Sequence, residues 1–398
     1  MATFSIRFLG CKVSHSDAQA LRERLVADGH QERAGDADIA VVNTCCVTHE
    51  AVSKSRQAAS RAARGHARVY VTGCGANLGG DAMAGLPKNV VVVARPSEEL
   101  AAAVARDVGA IGCVQADAHL DRVRAFVKVQ DGCSFNCNFC VIPLVRGASR
   151  SRRADAVLAE IAKRVGQGHR EIVLTGINLG CYRDREAGYK LARLVREAGA
   201  VPGLERLRLS SIEINHVNVE LIGALRDTGA AARHLHVPLQ SGDDAVLRAM
   251  GRRYTAATYL RRLAGLGDFN LTADVIVGFP TEGDRAFERT VDVIRQAGIT
   301  KVHVFPYSPR PGTVTAADDT IPAQVKKERS ARLRALSHDA CLARWREKVG
   351  RDDRVLVDRP GRGYGDDYSP WLVEQAAPVG ELLPVRGQAV MDEGIVAA

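Results

Sequence analysis

Three cysteines stand close together in one short stretch of the chain. Residues 130–146 read QDGCSFNCNFCVIPLVR, which places Cys133, Cys137 and Cys140 in the pattern Cys-x-x-x-Cys-x-x-Cys. Three thiolates on one loop can hold three corners of an iron–sulfur cluster, and a four-iron cube then keeps one iron open for another ligand. Zinc is the alternative, but a structural zinc site normally has four ligands, and the sequence offers no fourth ligand nearby. The spacing therefore favours an iron–sulfur cluster.

Three further cysteines stand in the N-terminal region, where the pattern alternates between strand and helix. We predict strands near residues 4–9, 39–43, 69–72 and 90–94, which is typical of an open parallel sheet. Cys11, Cys45 and Cys74 follow the first three of these strands. Ligands of such sheets bind beyond the carboxyl ends of the strands, so we expect the three thiols to converge and to hold a second metal cluster. The alternatives are cysteine as small buried core filler and Cys46 as the ligand in place of Cys45.

From residue 125 onward, six strand–helix units follow one another. The predicted strands span residues 126–129, 171–174, 206–209, 234–237, 272–277 and 301–305. A β/α barrel places its chemistry on the loops after the strands, so polar and glycine residues there outline a candidate pocket. Each of them taken singly is an ordinary turn or cap residue. They are Thr175, Gly176, Ser211, Glu213, Gln240 and Glu282.

The last part of the chain changes in character. Residues 323–349 read as a long charged helix, and residues 354–398 read as short strands (VLVD, WLVEQ, LLPVRG, QAVMD) separated by glycines. We therefore predict an α/β protein of three domains. These are an N-terminal open parallel α/β domain (1–112), a partial (β/α)6 barrel (122–350) and a small C-terminal all-β barrel (351–398).

Composition limits the class of protein. The 398 residues are 46% hydrophobic, carry a net charge of +9, include ten cysteines and contain no run of about 20 apolar residues. We expect a soluble, cytoplasmic protein whose cysteines are thiols or metal ligands, with no membrane role. The positive charge permits a polyanionic partner. The run RGASRSRR favours RNA phosphate contacts by Arg146, Arg150, Arg152 and Arg153, although a solvated surface is the ordinary alternative.

The core cysteine loop resembles that of the radical S-adenosylmethionine (SAM) superfamily, and the whole chain resembles the radical-SAM methylthiotransferases. The order of the three predicted domains matches that family, whose C-terminal barrel is of the TRAM type. By this resemblance Cys11, Cys45 and Cys74 hold an auxiliary [4Fe-4S] cluster, and Cys133, Cys137 and Cys140 hold the SAM-binding [4Fe-4S] cluster. The six pocket residues of the barrel rim are then expected to contact SAM. The implied reaction replaces an unactivated C–H by a methylthio group and uses two SAM molecules.

Several strings most resemble the branch of this family that modifies threonylcarbamoyl-adenosine next to the tRNA anticodon. They are LGCKVS at 9–14, NTCCVT at 43–48, LTGINLGCY at 174–182, HVPLQSGDDAVLRAMGRRYT at 236–255 and HVFPYSPRPGT at 303–313. This branch implies a tRNA anticodon loop and an electron donor such as flavodoxin or ferredoxin as partners, and we expect a monomer. Arg310 stands where the ribosomal-protein branch is acidic. It is predicted to contact RNA, with an ion pair at the rim as the alternative.

The chain also departs from the usual strings of the family. The unusual residues are Ser14, Cys46, Ile214, Thr281 and Gly283, and none is a predicted ligand in the preferred assignment. Three other functions stay open at this point. One is the isopentenyl-adenosine branch, and another is methylthiolation of a protein side chain. The third is a non-catalytic iron–sulfur or zinc RNA-binding protein, which would not cleave SAM.

Overall fold

The computed structural model describes residues 2–33, 35, 37–94, 102–104 and 123–398. The sequence pattern also predicts a short linker at about 110–122 and a helix capped by Ser97, and both lie outside these residues. Within them, no helix combines the length and the apolar composition that crossing a membrane requires. The described residues form two compact units. The first draws on 1–120, 132–148 and 308–316, and the second on 121–131, 149–307 and 317–398.

The first unit is built on a parallel five-stranded sheet with the strand order β2-β1-β3-β4-β5. Its helices flank buried side chains such as Phe4, Val41 and Tyr70. The open parallel sheet predicted from the sequence is thus confirmed. The elements in this unit are β1 (Thr3–Phe8), α1 (Lys12–Ala27), β2 (Gln31–Glu32), β3 (Ile39–Thr44), α2 (His49–Ala62), β4 (Arg68–Gly73), α3 (Cys74–Asn77), a 3₁₀ turn (Gly80–Met83), β5 (Val90–Val92) and, further along the chain, α4 (Ile142–Arg146).

Two glycines bring cysteines to the starts of helices. Gly10 has φ +148°, and Cys11 directly after it is the N-cap of α1. The sequence pattern predicts this helix from about residue 16, and the helix begins four residues earlier, at Lys12. Gly73 has φ +90°, and a Cβ there would lie 2.4 Å from Asn43 Oδ1, so only glycine fits between β4 and Cys74. The strand-to-helix turns are therefore short, and they hold the cysteines at the carboxyl ends of the strands.

The second unit contains the six predicted parallel strands. They lie in two sheets, with the orders β11-β8-β6-β7 and β12-β13-β14, in which β7 is an additional antiparallel strand. The isolated bridges Leu207–Ala231 and Ser211–His236 connect the β11 segment with the β12 segment. The elements are β6 (Arg124–Asp131), β7 (Arg150–Ser151), α5 (Ala154–Gly166), β8 (Glu171–Gly176), β9 (Arg183–Asp184), β10 (Tyr189–Lys190), α6 (Leu191–Gly199), β11 (Arg206–Leu209), α7 (Val219–Asp227), β12 (His234–His236), α8 (Asp244–Ala249), α9 (Ala256–Ala264), β13 (Asn270–Val277), α10 (Asp284–Gln296) and β14 (Ile299–Pro306). Short 3₁₀ turns lie at Leu179–Cys181 and Ile214–His216.

One hydrophobic core holds these helices against the strands. Ile161 on α5 and Val291 on α10 are buried in the same cluster as Val127, Leu174 and Val275 from the strands. Complete burial of a side chain of this size stabilises the folded state by about 1.5–3 kcal/mol. The strands are apolar toward the helices because both faces of a parallel sheet are covered.

The C-terminal segment forms a closed β-barrel after the long helix α11 (Ala323–Arg346), as the sequence predicted. The separate strands predicted for LLPVRG and QAVMD are wrong, because both belong to one strand. Gly387 lies at an irregularity within that strand instead of in a turn, and a Cβ there would lie 2.3 Å from the backbone oxygen of Lys348. The barrel strands are β15 (Asp352–Arg359), β16 (Arg362–Tyr364), β17 (Pro370–Leu372), β18 (Leu382–Met391) and β19 (Gly394–Ala397).

A buried carboxylate lies at the start of β8. Glu171 pairs with Arg206 at 3.3 Å and with Arg208 at 2.9 Å, and Arg124 lies 3.9 Å away. The same arginines reach the C-terminal barrel, since Arg208 Nη2 donates to the backbone oxygen of Gly365 at 2.6 Å. The ion cluster therefore ties the barrel to the beginnings of the core strands.

Candidate functional site

The loop that carries the core cysteines has no regular secondary structure between residues 132 and 141. Cys133 N donates to the backbone oxygen of Gly147 at 3.0 Å, and Cys140 N donates to that of Cys137 at 3.0 Å. Phe135 N points at Cys133 Sγ from 3.4 Å. All three thiols are half-buried.

The three N-terminal cysteines belong to the same compact unit as this loop. Cys11 is exposed, Cys45 is half-buried and Cys74 is buried. Cys45 lies close enough to both Cys11 and Cys74 for their charges to raise its pKa, although burial raises it most. The adjacent Cys46 is buried and shares a hydrogen bond with Cys74. Cys45 and Cys74 thus lie near each other at the carboxyl ends of their strands, and a metal cluster held by the three thiols stays a prediction.

Arg146 connects the segment that follows the core cysteines to the N-terminal thiols. It ends α4, directly after the core loop, and its Nε donates to Cys74 Sγ at 3.1 Å. Its Nη2 donates to Ser14 Oγ at 3.1 Å and to Asp17 Oδ2 at 3.0 Å. Ser14 Oγ in turn lies 3.6 Å from Cys11 Sγ. One guanidinium thus links the segment behind the core cysteines to the N-terminal thiols.

The pKa of the Cys74 thiol is lower than that of an ordinary cysteine. The hydrogen bond from Cys46 and the nearby Arg146 guanidinium lower the pKa of Cys74 to about 6, against the opposing effect of burial. The pKa of Cys46 rises correspondingly, because the shared hydrogen bond and burial favour its neutral form. Cys74 is therefore the member of this pair that carries the thiolate, the form that ligates metals.

The donor chemistry of both sets fits iron–sulfur clusters. Thiolates are the usual ligands of [4Fe-4S] clusters, and each set offers three of them. Hydrogen bonds to thiol sulfur from Phe135 N and from Arg146 are of the kind that tune such clusters. In the described part of the chain, no three His, Cys, Asp or Glu side chains are arranged as a ready-made site for a metal ion.

Arg310 lies in the same unit and is 3% exposed. Its Nη1 donates to the backbone oxygen of Cys46 at 3.3 Å, and its Nη2 donates to Ser308 Oγ at 2.8 Å. The arginine predicted to contact RNA is thus buried and packed beside Cys46.

The other arginines of the basic run belong to the second unit. Arg150 and Arg153 have side chains that are 63% exposed, and each pairs with a carboxylate, Arg150 with Asp131 at 3.4 Å and Arg153 with Asp155 at 3.0 Å. Arg152 is less exposed, and it donates to Glu160 at 2.6 Å and to the backbone oxygen of Lys128. Two of the three guanidinium groups therefore present a large surface to solvent.

The predicted rim residues of the barrel have different environments. Thr175 is fully buried, and among the described residues its Oγ1 has no hydrogen-bond partner. A Cβ at Gly176 would lie 3.0 Å from Gln130 Oε1, which accepts from Asn178 N at 2.8 Å. Glycine therefore leaves room for the Gln130 side chain beneath the loop. Ser211 bridges to the neighbouring strand.

The remaining rim residues make specific contacts of their own. Glu213 accepts from Asn215 N at 2.8 Å and faces Arg252 at 3.5 Å. Gln240 adopts φ +63°, which is uncommon outside glycine, and it forms an isolated bridge with Val275 of β13. Glu282 is fully buried and accepts from Gly278 N and from Arg329, which makes it a structural anchor for α11. Burial raises the pKa of Glu282, and those two partners oppose the rise.

A polar group on the second sheet was missed in the sequence analysis. His236 Nε2 lies 3.2 Å from Asp274 Oδ2, and its Nδ1 lies 2.9 Å from Thr272 Oγ1. The ring of His303 lies 5.5 Å from that of His236. The signal for this group was the alternation of polar residues along β13, since Thr272 and Asp274 point to the same face of an otherwise apolar strand.

Comparisons with known proteins cover nearly the whole chain. Residues 127–294 match the family model of the radical SAM superfamily, and residues 3–94 match that of uncharacterized protein family UPF0004. The threonylcarbamoyladenosine tRNA methylthiotransferase MtaB of Chlamydia pneumoniae is 34% identical, over 99% of this chain and 97% of its own length. The MtaB protein of Thermotoga maritima is 32% identical, over 100% and 96%.

Solved structures share the fold at lower identity. The radical SAM methyltransferase TsrM from Kitasatospora setae, solved with tryptophan and a SAM analogue, aligns with a TM-score of 0.59 and 15% identity. The alignment covers 79% of this chain and 75% of TsrM. The cobalamin-dependent SAM radical enzyme OxsB, solved with aqua-cobalamin and SAM, aligns with a TM-score of 0.54 and 12% identity, over 83% and 56% of the two chains. These likenesses concern the fold alone.

Proposed function

Because the chain belongs to the radical-SAM methylthiotransferases that act on tRNA, we propose that it converts N6-threonylcarbamoyladenosine at position 37 of tRNA into its 2-methylthio derivative. The observation that carries this proposal is the presence of both cysteine sets in one compact unit, connected through Arg146. The match to MtaB proteins over the full length of the chain supports the choice of substrate.

In this proposal Cys133, Cys137 and Cys140 hold the cluster that binds SAM, and Cys11, Cys45 and Cys74 hold a second one. When bound, the two [4Fe-4S] clusters supply the electron that cleaves SAM and the sulfur that becomes the methylthio group. The three core thiols are half-buried, which suits a cluster that is shielded from bulk water in part. The electron donor, flavodoxin or ferredoxin, stays a prediction.

We also propose a division of the chain into domains at 1–112, 122–350 and 351–398. The closed barrel formed by β15–β19 supports the third of these. The core loop groups with the N-terminal sheet, which suits a reaction that uses both cysteine sets. The pocket role proposed for Thr175 is supported by its buried hydroxyl, which has no partner among the described residues.

The test is anaerobic turnover of the reconstituted protein with SAM, dithionite and tRNA from cells that lack methylthiotransferases. We expect 5′-deoxyadenosine together with 2-methylthio-threonylcarbamoyladenosine, both measured by mass spectrometry. A matched reaction with the Cys133, Cys137 and Cys140 to Ala variant should give neither product. A protein that holds its clusters but yields no 5′-deoxyadenosine would instead support the non-catalytic RNA-binding function.

Arg150 and Arg153 are expected to contact tRNA phosphates, because their guanidinium groups are the exposed ones in the basic run. The double variant Arg150→Gln and Arg153→Gln should bind every tRNA more weakly, with a log–log salt slope shallower by about 0.7 per lost contact. Binding titrations at several salt concentrations measure this slope. Arg334→Gln, on an exposed part of α11, is the matched control and should leave the slope unchanged. Equal slopes for the double variant and the native protein would contradict the prediction.

A further inference from the structure

We propose that Arg146 is a positioning residue for the second cysteine site, where its guanidinium fixes Cys74 and brings a positive charge against the cluster that this cysteine holds. The inference rests on the proposed function, since it assumes a cluster on Cys11, Cys45 and Cys74. From the sequence alone, Arg146 was grouped with the arginines expected to contact phosphate. Its surroundings assign it a different role.

The backbone around Arg146 is held firmly in place. Val141, the N-cap of α4, and Val145 within this helix are buried together with Cys46 and Cys74. The backbone oxygen of Val145 accepts a hydrogen bond from Asn77 Nδ2 at 3.0 Å. The backbone of Arg146 is therefore held beside α3, and from there its side chain reaches Cys74 and Ser14.

The guanidinium itself is occupied by three different partners. It donates to the sulfur of Cys74, the hydroxyl of Ser14 and the carboxylate of Asp17, and the side chain is only 7% exposed. A planar guanidinium can serve three acceptors at once, whereas the ammonium of lysine cannot reproduce that geometry. Arg150, four residues later, is 63% exposed and suits a phosphate far better.

These contacts have a consequence for the redox properties of the site. A hydrogen bond to a ligand sulfur and a nearby positive charge both stabilise the reduced, more negative cluster, so they raise its reduction potential. Asp17 holds the guanidinium in position and offsets part of its charge. Loss of Arg146 is therefore expected to lower the potential of the second cluster and to affect the core cluster much less.

The experiment uses two backgrounds of the full chain, reconstituted anaerobically with iron and sulfide. In one, Cys133, Cys137 and Cys140 are alanine, so only the second site is left. In the other, Cys11, Cys45 and Cys74 are alanine. Redox titrations with dithionite, followed by electron paramagnetic resonance, give the midpoint potential of the one-electron reduction. Each background is combined in turn with Arg146→Gln, Arg146→Lys and the exposed control Arg150→Gln.

In the second-site background, Arg146→Gln should lower the midpoint potential by ~59 mV. For a one-electron reduction this corresponds to a shift of the reduced-to-oxidised ratio of about tenfold toward the oxidised form. Arg146→Lys should recover part of this shift, and Arg150→Gln should cause none. In the core-only background, all three variants should leave the potential in place. If the Arg146→Gln variant does not retain iron, the midpoint potential of Arg146→Lys is the deciding measurement. A potential below that of the native arginine supports the inference, and an unchanged potential contradicts it.

Two failures are distinguishable. A second-site background that takes up no cluster while Arg146 is still present would contradict the proposed function, and the inference with it. A cluster whose potential is the same with arginine, lysine and glutamine would contradict the inference alone. An equal shift in both backgrounds would also overturn it, because a specific contact with Cys74 predicts an effect on one site.

Discussion

Cys45→Ala is expected to abolish formation of the methylthio product, whereas Cys46→Ala should retain most of it. Cys45 is the half-buried thiol that lies near both Cys11 and Cys74, as a shared cluster requires. Cys46 is fully buried, and its backbone oxygen accepts a hydrogen bond from Arg310, so we interpret it as a packing residue beside the site. Loss of one thiolate from a three-cysteine site removes the cluster that would supply the sulfur.

The comparison is made on anaerobically reconstituted variants with SAM and tRNA. Both variants should still form 5′-deoxyadenosine, because the core cysteines are untouched, and iron content should fall in Cys45→Ala alone. The reverse outcome, with product lost in Cys46→Ala and kept in Cys45→Ala, would assign Cys46 as the ligand. Product from both variants would contradict a role for either thiol.

Glu171→Gln is expected to destabilise the fold by about 3–5 kcal/mol, because it leaves buried arginines without their counter-charge. Glu171 is completely buried, and Arg206 and Arg208 are almost completely buried beside it. Thermal and urea unfolding of the native protein and the variant measure the loss. Glu220→Gln is the matched control, since the exposed pair of Glu220 with Lys190 at 3.7 Å contributes little, and the change should stay within about 0.5 kcal/mol. Equal effects of the two substitutions would contradict the prediction.

The same substitution should show a particular dependence on pH. Burial opposes ionisation of Glu171, but Arg208, Arg124 and Arg206 together lower its pKa in the folded protein. A lowered folded-state pKa contributes stability above the ordinary glutamate pKa of about 4.3, and this contribution is lost as the pH falls through the lower folded value. The stability difference between native protein and Glu171→Gln should thus be constant near neutral pH and shrink in acid. A difference that grows on acidification would contradict this sign.

Much of the fold could be predicted because local patterns are strong. The strand at Glu171–Gly176 is a short, largely apolar run, and that at Arg206–Leu209 alternates arginine with leucine; both stand between polar loops, so their positions follow from the sequence pattern. The early start of α1 could not be read in the same way, since it depends on the conformation of Gly10. Within β18, Gly387 was taken for a turn because glycine marks turns more often than irregularities in a strand.

The sequence indicated which cysteines are candidate ligands, but it did not indicate which arginines lie beside them. Cysteine spacing and strand ends indicate where the sulfur atoms gather. Which arginines face solvent and which face sulfur depends on contacts between residues far apart in sequence. Arg146 bonds to Cys74, 72 positions away, and Arg310 to Cys46, 264 positions away. No local pattern around an arginine carries that information, so Arg146 and Arg150 looked alike.

The most direct test of the central claim is nucleoside mass spectrometry on tRNA. The protein would be expressed in a bacterial strain that lacks its own tRNA methylthiotransferases, and bulk tRNA would be digested and analysed. We predict 2-methylthio-threonylcarbamoyladenosine with the native protein, and its loss with Cys137→Ala and with Cys45→Ala. The isopentenyl product would keep the chemistry and contradict the choice of substrate. Absence of both nucleosides, from protein shown to hold its clusters, would contradict a function in tRNA methylthiolation.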